Sequence, residues 1–502
     1  MLGQPNFDKI VFFGDSFTDS GIFFGASSSV ALFGLPPVQL GYDQQFSNGD
    51  VYADIVPGLL SVDAINLAVG DAQALTDRTI SDVLADTGLI RPDALPDDLA
   101  FRVDFVAQVE RFVQDTAGTD LSATAASVLI GVNDFGNFAP TSSLTAVVEG
   151  VKFGADTAIA TLQSSAVLAA SGVGTIIFNT LPSLSVLPTT SGQSPEEQLL
   201  SSVLLESYNA TLVEGAGLLE LLGVDVVIVE FGAMWEEIAA DFESFGFKTF
   251  ADPVLLGQLG SEGPNPAVLG IPHDQIAFYD PVHPTTELHE ILAVFQAESL
   301  TSHVQVGSAE YECILGSAGD DLVLARAGND FLDLGAGNDV AIAGLGDDRA
   351  IGGTGNDLLA GGSGRDLLCG NSGRDILADG SGDDRVFGGS GSDLLIDGAG
   401  SDLAFGGEGD DVFIFTEDNL LGRDADEMDC FYGGSGEDTL IIRVEDAAVE
   451  LTAFEMCGGT YYEALGLMVY DIENVIVVEG TDTPFVVDFE AELATAELWN
   501  FL

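Results

Sequence analysis

The sequence predicts two architectures in one chain: an α/β unit with a parallel sheet, then an all-β unit of short stacked turns. Three observations predict this. Over residues 1–303 short β-branched runs alternate with long segments of helical periodicity. Over residues 316–414 a nine-residue unit repeats eleven times without a gap. The chain has 502 residues, 46% of them hydrophobic, so it is too long for one ordinary domain and can bury a large core.

The strands of the first unit are expected at "KIVFF" (9–13), "SVLIG" (127–131), "GTIIF" (174–178) and "VDVVIVEF" (224–231). Each is short, rich in β-branched residues and bounded by turn formers. Residues 144–171 and 194–223 are long enough for helices and place apolar residues at i, i+3 and i+4. Ser194-Pro195-Glu196-Glu197 reads as a helix start: a cap, a proline at the first turn, then acids. Strand–helix alternation implies a parallel sheet with helices on both faces, and ligands of such sheets bind beyond the C-terminal strand ends. The expected division is an α/β domain at 1–303, a linker at 304–315, the repeats at 316–441 and a C-terminal cap at 442–502.

The net charge is −67, from 81 acids against 14 Lys plus Arg. Such a polyanion repels nucleic acid and anionic lipid headgroups, which excludes both as charge-driven partners and leaves cations and neutral substrates. Residues 316–414 carry 19 acids and 5 arginines, so the repeats hold no special share of the acidity. An acidic surface throughout fits a salt-rich or calcium-rich setting, and it equally fits plain solubility. Cys313, Cys369, Cys430 and Cys457 show no zinc-type spacing, and a Cys430–Cys457 disulfide and free thiols both stay open. The N-terminus lacks the pattern of a secretion leader, and no run of 18 apolar residues occurs.

In each nine-residue unit position four is Gly, position six is Asp and position eight is apolar. Glycine permits a tight turn, the apolar residue faces a core one side chain thick, and a lone unit buries almost nothing, so the units must stack. With one unit read as one turn, the Asp carboxylates fall into rows. Rows of carboxylates repel unless a hard cation with oxygen ligands lies between them. A flexible linker of the same composition would not hold phase over eleven units. A further unit, GGSGEDTLI, stands apart at 433–441.

These units resemble the calcium-binding nonapeptides of RTX proteins, whose pattern is GGxGxDxUx. The resemblance implies an all-β parallel β-roll with Ca²⁺ held between turns. The carried-over ligands are Asp321, Asp330, Asp339, Asp348, Asp357, Asp366, Asp375, Asp384, Asp393, Asp402 and Asp411, with Asp438 in the separate unit. It also implies a secreted, extracellular protein that leaves through type I secretion machinery by an uncleaved C-terminal signal, and a roll that folds on meeting calcium outside the cell.

Four loops of the first unit carry the chemistry. Ser16, in "VFFGDSFTDSG", follows the first strand; taken alone it fits a helix cap, and as a nucleophile it needs a base, a group orienting that base, and donors for the oxyanion. Of the four histidines, His283 lies on a loop before a helix with Asp280 three residues upstream, stiffened by Pro281 and Pro284. Gly70 in "INLAVGDA" offers a backbone N–H, and Asn133 in "VLIGVNDFG" offers an amide.

Jointly the loops resemble the GDSL-type SGNH hydrolases. The matching blocks are Gly14-Asp15-Ser16-Phe17-Thr18-Asp19-Ser20-Gly21, Phe46-Ser47-Asn48-Gly49, Gly131-Val132-Asn133-Asp134 and Asp280-Pro281-Val282-His283-Pro284-Thr285. "NTLPSLSVLP" (179–188) and "YNATL" (208–212) are similar to the same branch, and the resemblance covers about residues 9–300. It implies an SGNH/flavodoxin-like parallel sheet with flanking helices. It also implies a serine esterase or lipase in which Ser16, His283 and Asp280 form the triad and Ser16, Gly70 and Asn133 line the oxyanion hole, with no catalytic cofactor. Phe17 stands where Leu is usual, Ile22 where Asn is frequent, and Asp71 where the branch usually has a second glycine, which leaves open which backbone N–H serves the hole. An acyltransferase with the same triad and a non-enzymatic calcium-binding adhesin are the alternatives.

Overall fold

A computed structural model describes residues 5–15, 18–19, 47, 50–69, 72–75, 104–136, 138, 140, 146–183, 187–188, 194–242, 245, 247–256, 263–269, 271–280, 282–416, 428–444, 453–456, 459–462 and 464–479. The chain divides into two compact units: residues 2–239 with 247–300, and residues 301–502 with Met1 and the segment 240–246. No helix among the described residues is long and apolar enough to cross a membrane. Cys313, Cys369 and Cys430 are free thiols, and Cys457 lies outside the described residues.

In the first unit β1 (Lys9–Gly14), β2 (Asp63–Asn66), β3 (Thr124–Leu129), β4 (Thr175–Asn179) and β5 (Asp225–Val229) form one sheet in the order β2-β1-β3-β4-β5. Every pairing is parallel. This is the flavodoxin-like order, and it turns direction between β1 and β3, where such sheets open a crevice beyond the strand ends. β3 and β4 are buried along their whole length, as their unbroken apolar or small residues require, while the edge strand β2 is largely exposed.

Side chains alternate across the sheet, so neighbouring residues of β1 meet different helices. Phe12 packs edge-on to Tyr52 of α1 (Tyr52–Leu60), and Phe13 packs edge-on to Phe105 and Phe112 of α2 (Phe105–Asp115). Further helices of this unit among the described residues are α3 (Val132–Gly136), α4 (Ala146–Ala170), α5 (Pro195–Glu220) and α6 (Phe231–Ala240). A last one, α7 (Thr286–Ser299), follows a short antiparallel pair, β6 (Leu255–Leu256) with β7 (Gly263–Pro264). α5 starts where the sequence places it. The Glu197 carboxylate accepts the Ser194 N–H at 2.8 Å, and the Ser194 hydroxyl accepts the Glu197 N–H at 3.4 Å.

Among the described residues the second unit is two sheets of mainly parallel strands, one of nine strands and one of ten, the latter ending in short antiparallel strands. Strand partners lie eighteen residues apart, as in Leu358↔Ile376 and Arg385↔Leu403, so one coil takes two nine-residue units and not one. The physical reason is the core. One unit makes a strand and a turn, and only two opposed units can enclose the position-eight side chains from both sides. Those side chains, from Val323 to Phe413, are each at most 3% exposed. Position-four glycine is forced by the stacking: Gly355 has φ +130°, and a Cβ there would stand 1.5 Å from the Gly337 carbonyl oxygen.

Coiling reaches beyond the repeats on both sides. Within the segment expected as a linker, His303–Val306 and Cys313–Leu315 form the first strand of each sheet. At the other end Leu467–Tyr470 and Asn474–Glu479, in the segment expected as a cap, add one strand to each sheet. The core is so thin that truncating it has a local and a global cost. Leu359→Ala, at a residue fully buried between the sheets, should lower stability by about 2–5 kcal/mol in denaturant titration with calcium present. A loss below 1 kcal/mol would contradict the single-layer core.

Candidate active site and carboxylate rows

The Asp280–His283 loop closes on itself before α7. Tyr279 N–H donates to the His283 carbonyl at 2.8 Å, and Phe278 bridges to Pro284. The Thr285 hydroxyl donates back to the Ile276 carbonyl at 2.9 Å, which fastens the helix start to the preceding strand-like segment. Inside this loop His283 Nδ1 lies 2.9 and 3.0 Å from the two Asp280 carboxylate oxygens. Asp280 also accepts the Val282 and His283 backbone N–H groups, each at 2.9 Å. Both side chains are almost wholly buried. A carboxylate on Nδ1 favours the tautomer with the proton there, the form in which Nε2 can accept one.

Ser16 and Gly70 lie outside the described residues, but the chain on both sides of Ser16 is tightly held. Gln108 of α2 is fully buried and grips Gly14 twice, accepting its N–H at 3.0 Å and donating to its carbonyl at 2.9 Å. Gly14 must be glycine, because a Cβ would stand 2.5 Å from the Leu129 carbonyl oxygen. Two residues past Ser16, Thr18 N–H donates to the Asp15 carbonyl at 3.1 Å, and the Thr18 hydroxyl meets the Tyr52 hydroxyl at 3.1 Å. The Asn66 amide, at the end of β2, donates to the Thr18 carbonyl.

Asn133 opens α3, and its loop is tied to the loop after β2. The Asn133 amide donates to the Ala72 carbonyl at 3.3 Å, and the Gln73 amide donates to the Asn133 carbonyl at 3.2 Å. Asp134 accepts the Ala74 and Leu75 N–H groups at 2.7 and 3.0 Å. The other two blocks also act as ties. The Tyr208 hydroxyl donates to the Ile130 carbonyl at 2.7 Å, and the Asn209 amide exchanges two hydrogen bonds with the Leu181 backbone at 3.0 and 2.9 Å. Of the expected site residues, then, Asp280 and His283 are brought together and Asn133 sits on a neighbouring strand-end loop. Gln108, Asn66 and Tyr52 receive no role from the sequence reading, and Asp134 enters it only as a member of the block 131–134, without its part as a tie.

In the second unit every position-six Asp is at most 3% exposed. From Asp339 onward the Oδ1 of each accepts the backbone N–H of the Asp one coil earlier, as from Asp357 to Asp375 at 2.9 Å and from Asp375 to Asp393 at 2.8 Å, while Asp330 accepts the Glu312 N–H in the same way. The Oδ2 atoms of Asp330, Asp339, Asp348, Asp357, Asp366, Asp375, Asp384, Asp393, Asp411 and Asp438 are buried with no hydrogen-bond partner. Orphaned carboxylate oxygens in register are the donor set of a hard cation, and calcium fits them. Asp321, at the start of the stack, differs: His303 Nδ1 and the Ser317 N–H occupy its two oxygens at 2.7 and 2.6 Å. Asp429 also belongs to the rows, accepting the Asp402 N–H at 3.0 Å, and was missed because its unit lacks the glycines although it keeps the nine-residue phase. Glu473 takes the next place, accepting the Asp438 N–H at 2.8 Å.

Burial pushes the carboxyls of Asp339, Asp366, Asp375 and Asp411 up to about 7 and that of Asp384 up to about 8. Without a cation, these groups fold best protonated. Their folded values exceed the unfolded carboxylate value of about 3.9, so the stability they contribute is complete below that pH and is lost as pH rises. In chelator the melting midpoint of the roll should therefore fall as pH rises toward the values of about 7 and 8 set by these groups. Millimolar calcium should abolish the fall, since the ion takes the carboxylate form. A midpoint in chelator that rises over that range would count against this.

Residues 10–294 match the family described as GDSL-like Lipase/Acylhydrolase. Residues 314–341, 342–377 and 379–413 match the RTX calcium-binding nonapeptide repeat. No curated protein matches the chain. Among the solved structures that it resembles are two distant ones. One is LAE5, an alpha/beta hydrolase enzyme from the metagenome of Lake Arreo, at 15% identity over 58% of this chain and 94% of that one, with a TM-score of 0.26. The other is an extracellular lipase from Streptomyces rimosus, at 16% identity over 58% of this chain and 99% of that one, with a TM-score of 0.28. With more than half of its length in the first match, the chain belongs to the GDSL-like lipase/acylhydrolase family of ester-hydrolysing enzymes and carries RTX calcium-binding nonapeptide repeats in its second unit.

Proposed function

We propose that this is a secreted serine esterase or lipase working through Ser16, His283 and Asp280. The observation that carries the reading is the buried Asp280–His283 pair, held at 2.9 Å on a self-closed loop. In the reaction His283 Nε2 takes the Ser16 proton as Oγ bonds to the ester carbonyl carbon. The carbonyl oxygen becomes an oxyanion, received by the Ser16 and Gly70 N–H groups and the Asn133 amide. Collapse breaks the bond to the alcohol, which leaves with the proton from His283. Water, deprotonated by the same Nε2, then releases the acid and restores Ser16. Asp280 holds the imidazole tautomer and the imidazolium formed in each half. Tied loops after β2 and β3 support the placement of the oxyanion donors, and the grip of Gln108 on Gly14 supports that of the nucleophile.

Calcium takes no part in this chemistry; bound by the position-six Asp rows, it would supply the charge that lets the roll fold. Export through type I machinery, with a signal within 442–502, fits a roll that folds where calcium is abundant. The ester class is open between lipid and acylated sugar. Hydrolysis of p-nitrophenyl acetate and octanoate in millimolar calcium should be lost in Ser16→Ala and in His283→Ala while circular dichroism stays unchanged. Asp280→Asn should cost on the order of 10⁴ in kcat, and Asn133→Ala on the order of 10²–10³. Near-native turnover in either of the first two variants would refute the triad.

A further inference from the structure

A chain of polar side chains crosses the apolar core of the first unit and ends two residues past Ser16. It starts at Ser127, a fully buried serine inside β3 and the register partner of Phe12 in β1. The Ser127 hydroxyl accepts the Asn179 amide at 3.0 Å and the Gln296 amide at 3.1 Å. The Gln296 amide also donates to the Asn179 side-chain oxygen at 2.6 Å. A serine hydroxyl has two lone pairs and one proton. Both lone pairs are taken here, so the proton goes to the remaining partner, the Tyr52 phenol. Burial holds that phenol well above its usual value, so it keeps its own proton. That proton is then directed at Thr18 Oγ1, 3.1 Å away. Every member of the chain is buried, at most 1% exposed.

Both ends of the Tyr52–Thr18 bond are held. Three rings pack on Tyr52: Phe12 edge-on at 6.0 Å, Phe231 edge-on at 5.4 Å, and His289 stacked at 6.3 Å. His289 is buried, and burial, then the charge of His283, lowers it to about 3, so it braces Tyr52 as a neutral ring. Thr18 is tied through all of its polar groups. Its N–H donates to the Asp15 carbonyl across Ser16, its carbonyl accepts the Asn66 amide, and its hydroxyl meets Tyr52. The hydroxyl also packs on the end of β1, since a Cβ at Gly14 would stand 2.7 Å from Thr18 Oγ1. A core that only had to be filled would do as well with Ala at 127, Phe at 52 and Val at 18, without the desolvation of three hydroxyls. A fully connected polar network in a core gives rigidity and a single geometry.

We propose that Tyr52 is a positioning residue for the nucleophile: anchored by Ser127, Asn179 and Gln296, its hydroxyl fixes Thr18 and through Thr18 the turn that carries Ser16. The inference rests on the reading of Ser16 as the nucleophile and deepens it. Tyr52 touches neither substrate nor the reacting atoms in this account. It acts on the reaction by limiting where the serine can stand, and small misplacements of a reacting group are costly in rate.

The test uses the full-length protein in millimolar calcium. The readouts are kcat/KM for p-nitrophenyl octanoate, the second-order rate of fluorophosphonate labelling, and the number of serines labelled per chain at completion. Tyr52→Phe and Thr18→Val cut the same bond from its two sides. Each should lower kcat/KM and the labelling rate by the same factor, at least about tenfold, with one serine still labelled per chain. The double variant should lose no more than the worse single one, because one interaction is removed in all three. Thr18→Ser keeps the hydroxyl and should stay within about threefold of the parent. If Tyr52→Phe fails to fold, Thr18→Val decides. A labelling rate per folded chain equal to the parent's, with only the melting midpoint or the labelled fraction reduced, makes the bond merely structural and overturns this inference alone. Label on a serine other than Ser16 in the parent overturns the assignment of the nucleophile and this inference with it.

Discussion

A carboxylate taken out of water must be given donors or positive charge, and both units of this chain are built around that requirement. In the first unit Asp280 is buried on a loop that supplies two backbone N–H groups and the His283 ring to the same side chain. The turn that satisfies the acid also sets the imidazole. In the second unit the backbone satisfies only one oxygen of Asp357, Asp375 and most of their row, and their Oδ2 atoms are buried with no hydrogen-bond partner. The loop completes itself, while the roll leaves an account that a cation can close.

That difference separates the two units in their dependence on surroundings. The sheet of the first unit is carried by apolar strands, with Ile10, Val11, Phe12 and Phe13 all fully buried. Its strand ends are then fixed by neutral hydrogen bonds such as those of Gln108, Asn66 and Asn209. None of these needs an ion. In the roll, a core one residue deep lies between rows of acids, and net charge works against stacking unless it is neutralised. Calcium binding and folding are therefore expected to be linked in the roll.

Much of this was legible in the sequence, because it depends on local pattern. The β1, β4 and α5 boundaries follow from short apolar runs and from the Ser194 capping box. Asp280 and His283 sit three residues apart, each followed by a proline, so their contact is nearly a property of the loop. What escaped is non-local. Gln108 reaches Gly14 across 94 residues, and nothing in its own helix marks it. The eighteen-residue coil cannot be read from a nine-residue period, since the period does not say whether successive units share a sheet. Asp429 kept its phase but lost its glycines, and pattern recognition follows the glycines. Ser16 was legible as chemistry, as the residue that strand end, helix cap and nucleophile all claim.

The most direct measurement is covalent labelling of the folded, calcium-loaded protein with a fluorophosphonate, followed by peptide mapping. The account predicts one modified serine, Ser16, and labelling that drops with loss of the His283 base. Label on another serine, or esterase turnover with no serine labelled, would contradict it.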